Sequence, residues 1–146
     1  MMVGLISDTH GLLRESAVSA LSGCELILHA GDVGRAEILE ELRKIAPIVA
    51  VRGNVDPPGL PEIAEAECGG ARFLIVHDVK SLKAGSADGF DFVVSGHSHQ
   101  PSEKRVGGVV YVNPGSAGPR RFRLPLTVAR VHLDEQPWRI EFVDVN

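Results

Sequence analysis

The stretch Val3-Gly4-Leu5-Ile6-Ser7-Asp8-Thr9-His10 decides how the rest of the chain is read. Its first four residues form a short apolar run, typical of a strand covered on both faces. The run ends in an aspartate and a histidine, two side chains able to hold a metal ion. The same order recurs along the chain. Leu26-Ile27-Leu28 leads into Gly31-Asp32, and Ile48-Val49-Ala50-Val51 into Gly53-Asn54. Phe73-Leu74-Ile75-Val76 leads directly into His77, and Phe92-Val93-Val94 into Gly96-His97-Ser98-His99.

The connections between these runs give the fold class. Leu13, Ala17, Ala20 and Leu21 recur at helical spacing. Ile38, Leu39, Leu42 and Ile45 do the same, with Glu37, Glu40, Glu41 and Arg43 outside and Pro47 as the stop. Strand, helix, strand, helix, strand predicts a parallel sheet with helical crossovers, hence an α/β chain. The second half reads differently. Ala64, Ala66 and Cys68 alternate with Glu65 and Glu67, and Gly69-Gly70 supplies a hairpin turn. Residues 90–94 form a further apolar strand. Ala129, Val131 and Leu133, then Trp138, Ile140 and Phe142, alternate with polar neighbours around a turn at Glu135-Gln136-Pro137. They predict half-exposed antiparallel strands.

Composition bounds what such a chain can be. Its 146 residues suit one domain spanning 1–146, and Pro57-Pro58-Gly59-Leu60-Pro61 is a loop within it rather than a linker. Aromatics are only 5%, so Val, Ile, Leu and Ala must fill the core. A net charge of -4 argues against a nucleic-acid partner, which would want a basic face. Cys24 and Cys68 form no C-x-x-C pair and read as free thiols of a reducing compartment. The first apolar run is too short for a signal peptide, and no segment nears the ~20 apolar residues of a membrane span. These features predict a cytoplasmic protein without a membrane partner.

Ligands of open α/β sheets bind at the carboxyl ends of the strands. That rule brings Asp8, His10, Asp32, Asn54, His77, His97 and His99 into one crevice. Such a set exceeds what one tetrahedral ion can use. It suits two ions with one carboxylate bridging. Imidazole, carboxylate and amide oxygen together favour manganese, iron, zinc or nickel over magnesium or calcium. Two ions ~3.5–4 Å apart can hold a hydroxide and polarise a phosphoryl oxygen. Gly31, Gly53 and Gly96 lie beside these ligands, where close backbone approach favours a missing Cβ. Plainer roles compete at single positions. Asp32 could cap the following helix, Asn54 could be a turn residue, and His77 could be a satisfied core histidine. His29 reads as a buried supporting group and His132 as solvated. Asn113-Pro114-Gly115-Ser116 is either a tight turn or a supplier of N–H groups and the Ser116 hydroxyl to the site. Arg120, Arg121 and Arg123 are either a solvated cluster or an attraction for phosphate.

Taken together, Asp8-Thr9-His10, Gly31-Asp32, Gly53-Asn54-Val55-Asp56, His77, Gly96-His97-Ser98-His99 and Asn113-Pro114-Gly115-Ser116 resemble the calcineurin-like metallophosphoesterases. The likeness is to their small phosphodiesterase branch, which also includes the retromer scaffold subunit. The resemblance implies a four-layer α-β-β-α sandwich of two mixed β-sheets flanked by helices. It implies one ion on Asp8, His10, Asp32 and His99 and another on Asp32, Asn54, His77 and His97, with Asp32 bridging. It further implies two divalent ions, manganese foremost, and a small phosphoester substrate attacked in line by a metal-bridging hydroxide. Asp32, Asn54 and His97 would then also stabilise the transition state. A phosphomonoesterase and a non-catalytic scaffold are the rival functions. Three positions depart from the family pattern. Val55 stands where larger relatives carry a leaving-group histidine, which leaves Asp56 or a water as candidate general acid. His77-Asp78-Val79 replaces a His-Gly-His, and the span from His77 to Gly96 is short, implying a trimmed helix or lid.

Overall fold

The apolar runs do become strands, and their pairing sets the architecture. The computed structural model describes residues 1–146. The elements are β1 (Met2–Ile6), α1 (Glu15–Leu21), β2 (Leu26–His29), α2 (Ala36–Arg43), β3 (Ile48–Ala50), β4 (Ile63–Cys68) and β5 (Ala71–Val76), followed by a 3-10 turn (Val79–Ser81). β6 (Phe92–Val94), β7 (Ser102–Val106), β8 (Val109–Asn113), β9 (Thr127–His132) and β10 (Arg139–Asp144) complete the chain. One sheet runs β10-β9-β1-β2-β3 and the other β4-β5-β6-β8-β7. Both are mixed. β1, β2 and β3 are parallel, as are β5, β6 and β8, while the remaining strands pair antiparallel.

Alternation along each strand sends side chains to opposite faces, and the core follows from it. Val3, Leu5, Leu28 and Val51 from the first sheet meet Phe73, Ile75, Val94 and Val112 from the second. Phe73 and Phe92 stack at 4.9 Å between ring centroids. Each such fully buried side chain contributes ~1.5–3 kcal/mol. The outer face of the first sheet carries Ile6, Ile27 and Val128 against Ala17, Leu21, Ile38 and Leu42 of α1 and α2. Both helices therefore flank that sheet. Over the second sheet the outer layer is thin. Leu82, Ala87 and Phe90, from the 3-10 turn and the irregular chain after it, cover Leu74, Val76 and Val93.

Two local expectations change, and one hairpin was not expected at all. The hairpin of β7 and β8 escaped the sequence pattern, because Ser102–Val106 is exposed along its whole length and carries no apolar alternation. The sixth strand begins at Phe92 rather than Phe90, whose ring instead lies under the Arg72 guanidinium, 4.6 Å away. His132 is not simply solvated. Its Nε2 lies 2.8 Å from Glu141 Oε1, an oxygen that Arg130 also engages.

Strand register then places the site. Leu5 pairs with Leu28 and Ile6 with His29, while Ile75, Val94 and Val112 are aligned across the second sheet. The carboxyl ends of β1, β2, β3, β5, β6 and β8 consequently finish together, and the loops leaving them face one another.

Candidate metal centre

The chain turns sharply as it leaves each of these strands. Asp8, His10, Asp32, His97 and His99 all adopt positive φ, between 46° and 72°. Phe122 is the one other non-glycine residue that does so. Left-handed backbone is disfavoured for residues with a Cβ and tends to persist at functional sites, where surrounding structure enforces it. The enforcement is visible here. Beyond the β1–β2 pairing, Asp8 N–H donates to Gly31 O, His10 N–H to Asp32 O and Gly11 N–H to Val33 O. A Cβ at Gly96 would strike Ser7 Oγ and Asp8 Oδ2, and one at Gly53 would strike the Asp32 carboxylate. Both glycines are there because the loops must touch.

The two aspartates are held in the same way. Asp8 Oδ2 accepts from the Ser7 hydroxyl at 2.7 Å and from His97 N–H at 3.2 Å. Asp32 Oδ1 accepts from Val55 N–H at 3.0 Å. The second oxygen of each faces imidazoles. Asp8 Oδ1 lies 3.4 Å from His99 Nε2 and 3.9 Å from His10 Nε2. Asp32 Oδ2 lies 3.2 Å from His77 Nε2 and 3.6 Å from His10 Nε2. His77 Nδ1 lies 2.7 Å from Ala30 O, so it carries the proton it donates there, and Nε2 presents a lone pair. Lone pair therefore faces carboxylate oxygen, an arrangement that asks for a cation between them. Asp8 Oδ1, His10 Nε2 and His77 Nε2 are buried with no hydrogen-bond partner, as is His99 Nδ1. Unpartnered buried polar atoms are costly and rare, and those of Asp8, His10 and His77 converge. Asp8, His10 and His99 can share one ion, and Asp8, Asp32 and His77 can also surround one. The donor set fits divalent metal.

The electrostatics show the same place occupied by a proton instead of a metal ion. Burial pushes the Asp8 carboxyl up, against the opposing pull of the Ser7 hydroxyl, His77 and His99. Burial also acts to raise Asp32, yet the nearby His77 imidazole and the Val55 N–H outweigh it and hold the carboxylate well below its usual range. For His77, desolvation disfavours the cation, but Asp32, the Ala30 carbonyl and Asp8 carry its pKa above the ordinary value. His99 is lowered, chiefly by burial.

Asn54 and His97 stand apart from this cluster. Both are exposed, with Asn54 Nδ2 3.3 Å from His97 Nδ1. His97 packs edge-on to His77 at 5.3 Å between ring centroids, and its Nε2 lies 3.8 Å from Asp78 Oδ2. Thus five of the expected ligands form a nest, four of them buried and His10 half-buried, and two form its rim.

Other residues take supporting positions. Thr9 Oγ1 donates to Val33 O at 2.9 Å, so the 3.0 Å contact with His29 Nε2 uses the histidine's proton, and Gly31 N–H donates to His29 Nδ1. His29 is a buried strut, as its place in the sequence suggests. Asn113 Nδ2 donates to Gly96 O and Ser98 Oγ, and Ser116 Oγ donates to Asp8 O. The Asn113-Pro114-Gly115-Ser116 segment therefore does both jobs, turn and support. Asp56, the candidate general acid, has both carboxylate oxygens engaged: they accept from Gly34 N–H and Gly53 N–H, clamping the loop that carries Asn54. Asp32 is no helix cap, since α2 starts after Arg35. Ser7 was missed in the sequence, although its place directly before Asp8 was the available signal. The N–H of Val55 and the carbonyl of Ala30 leave no such signal, being backbone.

A fold of two mixed sheets whose parallel strands deliver aspartates and histidines to one edge defines a metallophosphoesterase-type domain. The chain belongs to the calcineurin-like phosphoesterase superfamily, whose domain it matches over residues 1–136. It is 36% identical over 132 residues to a probable metallophosphoesterase of Methanothermobacter thermautotrophicus, covering 80% of this chain and 77% of that one. Among solved structures, a novel archaeal phosphodiesterase superposes with a TM-score of 0.82 at 22% identity, covering 98% of this chain and 100% of the other. Vps29 of Entamoeba histolytica in complex with zinc superposes with a TM-score of 0.69 at 24% identity over the full length of both chains. No helix is long and apolar enough to cross a membrane.

Proposed function

We propose that this chain is a phosphodiesterase of small or exposed phosphoesters that works with two divalent cations, manganese foremost. The observation that carries the reading is the convergence of unpartnered buried Asp8 Oδ1, His10 Nε2 and His77 Nε2 on one space. One ion is assigned to Asp8, His10, Asp32 and His99, and the other to Asp32, Asn54, His77 and His97. Bound there, the pair would supply Lewis acidity toward a phosphoryl oxygen and a nucleophile drawn from water at neutral pH. The chain's own groups do the rest. Asp8 and Asp32 each keep one oxygen locked and one free, which fixes the direction of negative charge into the nest. His77 is held in the tautomer that leaves Nε2 available. Asn54 and His97 at the rim are the ligands most open to a substrate, and the Asn54 amide can donate to a phosphoryl oxygen as charge develops. With Val55 beside Asn54 and both Asp56 oxygens taken by main-chain donors, no side chain of that loop protonates the leaving group, so solvent water takes the role.

The scaffold alternative draws support from the likeness to Vps29. The full set of seven metal-competent side chains favours hydrolysis over it. The manganese-supplemented protein should hydrolyse bis(4-nitrophenyl) phosphate faster than 4-nitrophenyl phosphate, lose the activity to a chelator, and hold about two metal equivalents by elemental analysis. Absence of turnover with manganese, iron, zinc and nickel alike would remove the enzyme reading.

A further inference from the structure

The thin outer layer of the second sheet leaves part of that sheet bare. The chain from Leu82 to Phe90 caps β5 and β6, but β7 is exposed and Tyr111 of β8 is half-buried. What remains is a groove of about 420 Å³ that starts at His97 and Ser98 and runs over β8 and β7. Cross-strand register lays its floor in rungs: Ser102 opposite Asn113, then Lys104 opposite Tyr111, then Val106 opposite Val109. Alternate residues of a strand share a face and lie ~7 Å apart. Moving away from the metal centre, the groove thus offers the Ser102 hydroxyl, then a cation beside a phenol ring, then an apolar end.

We infer that this groove receives the nucleoside portion of a nucleotide substrate whose phosphate sits at the metal centre, an inference that rests on the phosphoesterase reading above. The Ser98 and Ser102 hydroxyls match sugar hydroxyls at one rung's distance from the phosphate. Tyr111 offers an aromatic ring to a flat base, Lys104 donates to base oxygens or nitrogens, and Val106 closes the apolar end. Lys80 on the wall and Lys104 on the floor supply donors for the oxygens and nitrogens of a base and add to the attraction of the substrate's phosphate. A simple alkyl phosphate leaves these groups unused, and an acyl chain leaves two lysines and two serines unmatched. The Asp78 carboxylate, 3.8 Å from His97 Nε2, stands at the start of the groove and repels a second phosphate directly attached to the first. The chemistry therefore selects a phosphate bearing a sugar and a base over an extended polyphosphate.

Two measurements test this. In the zinc-supplemented, isotope-labelled protein, thymidine 5′-monophosphate should shift the backbone amide resonances of Ser102–Val106 and Val109–Asn113, whereas inorganic phosphate should leave those strands unmoved. In kinetics, thymidine 5′-(4-nitrophenyl phosphate) and methyl 4-nitrophenyl phosphate share a leaving group and differ only in the retained arm. The thymidine ester should be preferred about tenfold in kcat/KM, mainly through KM, and Lys104→Glu, at an exposed position, should bring the two within about twofold. Turnover of the methyl ester with no preference for the thymidine ester, or strand amides that ignore the nucleotide, overturns the groove assignment alone. No turnover of either ester overturns the hydrolase reading, and the substrate assignment with it.

Discussion

The metal-competent side chains divide by depth, and the two groups are held by different means. Asp8, Asp32, His77 and His99 are buried and His10 half-buried, with carboxylate and imidazole positions fixed by Ser7, Val55 N–H and Ala30 O. Asn54 and His97 are exposed, and the contacts of their side chains are chiefly with each other and with Asp78. The nest is thus ordered by the fold itself, while the rim depends on what binds there. A pre-ordered nest spends no conformational entropy on its first ion, whereas two exposed side chains must be immobilised for the second. On the two-ion reading proposed above, the contrast is between a tight ion and an exchangeable one.

The sharpest way to break this contrast is to delete one ligand from each region. Asp8→Ala should lower metal affinity by more than ~100-fold, beyond the 10–100-fold typical of lost supporting bonds, and reduce bound metal toward none. Asn54→Ala should leave one tightly held equivalent and weaken only the other. Competition with a chelator of graded affinity, read by elemental analysis, separates the two. Equal losses in both variants would show that nest and rim act as one site.

A smaller effect is expected from the groups that hold the two regions together. Asn113 joins the end of β8 to Gly96 O and Ser98 Oγ, and so steadies the loop bearing both His97 and His99. Asn113→Ala removes those bonds without touching any ligand. Metal affinity should drop ~10-fold, at the low end for supporting partners, and the weaker equivalent should suffer more than the tighter one. An unchanged titration in the variant would mean that the loop is held by its backbone alone.

How much of this was legible in the residues follows the same division. Strands β1, β2, β3, β5 and β6 could be read because buried parallel strands are nearly continuous apolar runs, and each ligand stood at the end of one. β7 could not, because an exposed edge strand such as Ser-Glu-Lys-Arg-Val has no buried face to impose a pattern. His132 was misjudged for a related reason: its partner Glu141 lies on a neighbouring strand, and cross-strand pairing is invisible until register is known. Within the site, the identities of the metal-competent side chains were legible, but their depth was not. Asn54 and Asp32 look alike in sequence as Gly-Asn and Gly-Asp. Only the fold buries one and exposes the other.

The least of the expected effects concerns the strut beneath the nest. His29 is fully buried, and burial lowers its pKa from 6.5 to about 4, against the upward pull of Asp56. In the folded chain it stays neutral through mildly acidic pH, donating to Thr9 and accepting from Gly31 N–H. In the unfolded chain it takes up a proton as pH falls through 6.5. The unfolded state therefore binds more protons between these values, and stability declines as pH drops through that window, levelling off near the folded pKa. Between pH 7.5 and pH 6 the loss from this residue should be about 1 kcal/mol. His29→Gln keeps a donor for Thr9 but cannot titrate. In chelator-treated protein its urea-unfolding free energy should start lower at pH 7.5, because Gly31 N–H loses its acceptor, yet fall less steeply toward pH 6 than that of the parent chain. Parallel slopes would mean that His29 titrates in the fold as it does in the unfolded chain, and the neutral strut between Thr9 and Gly31 would have to be abandoned.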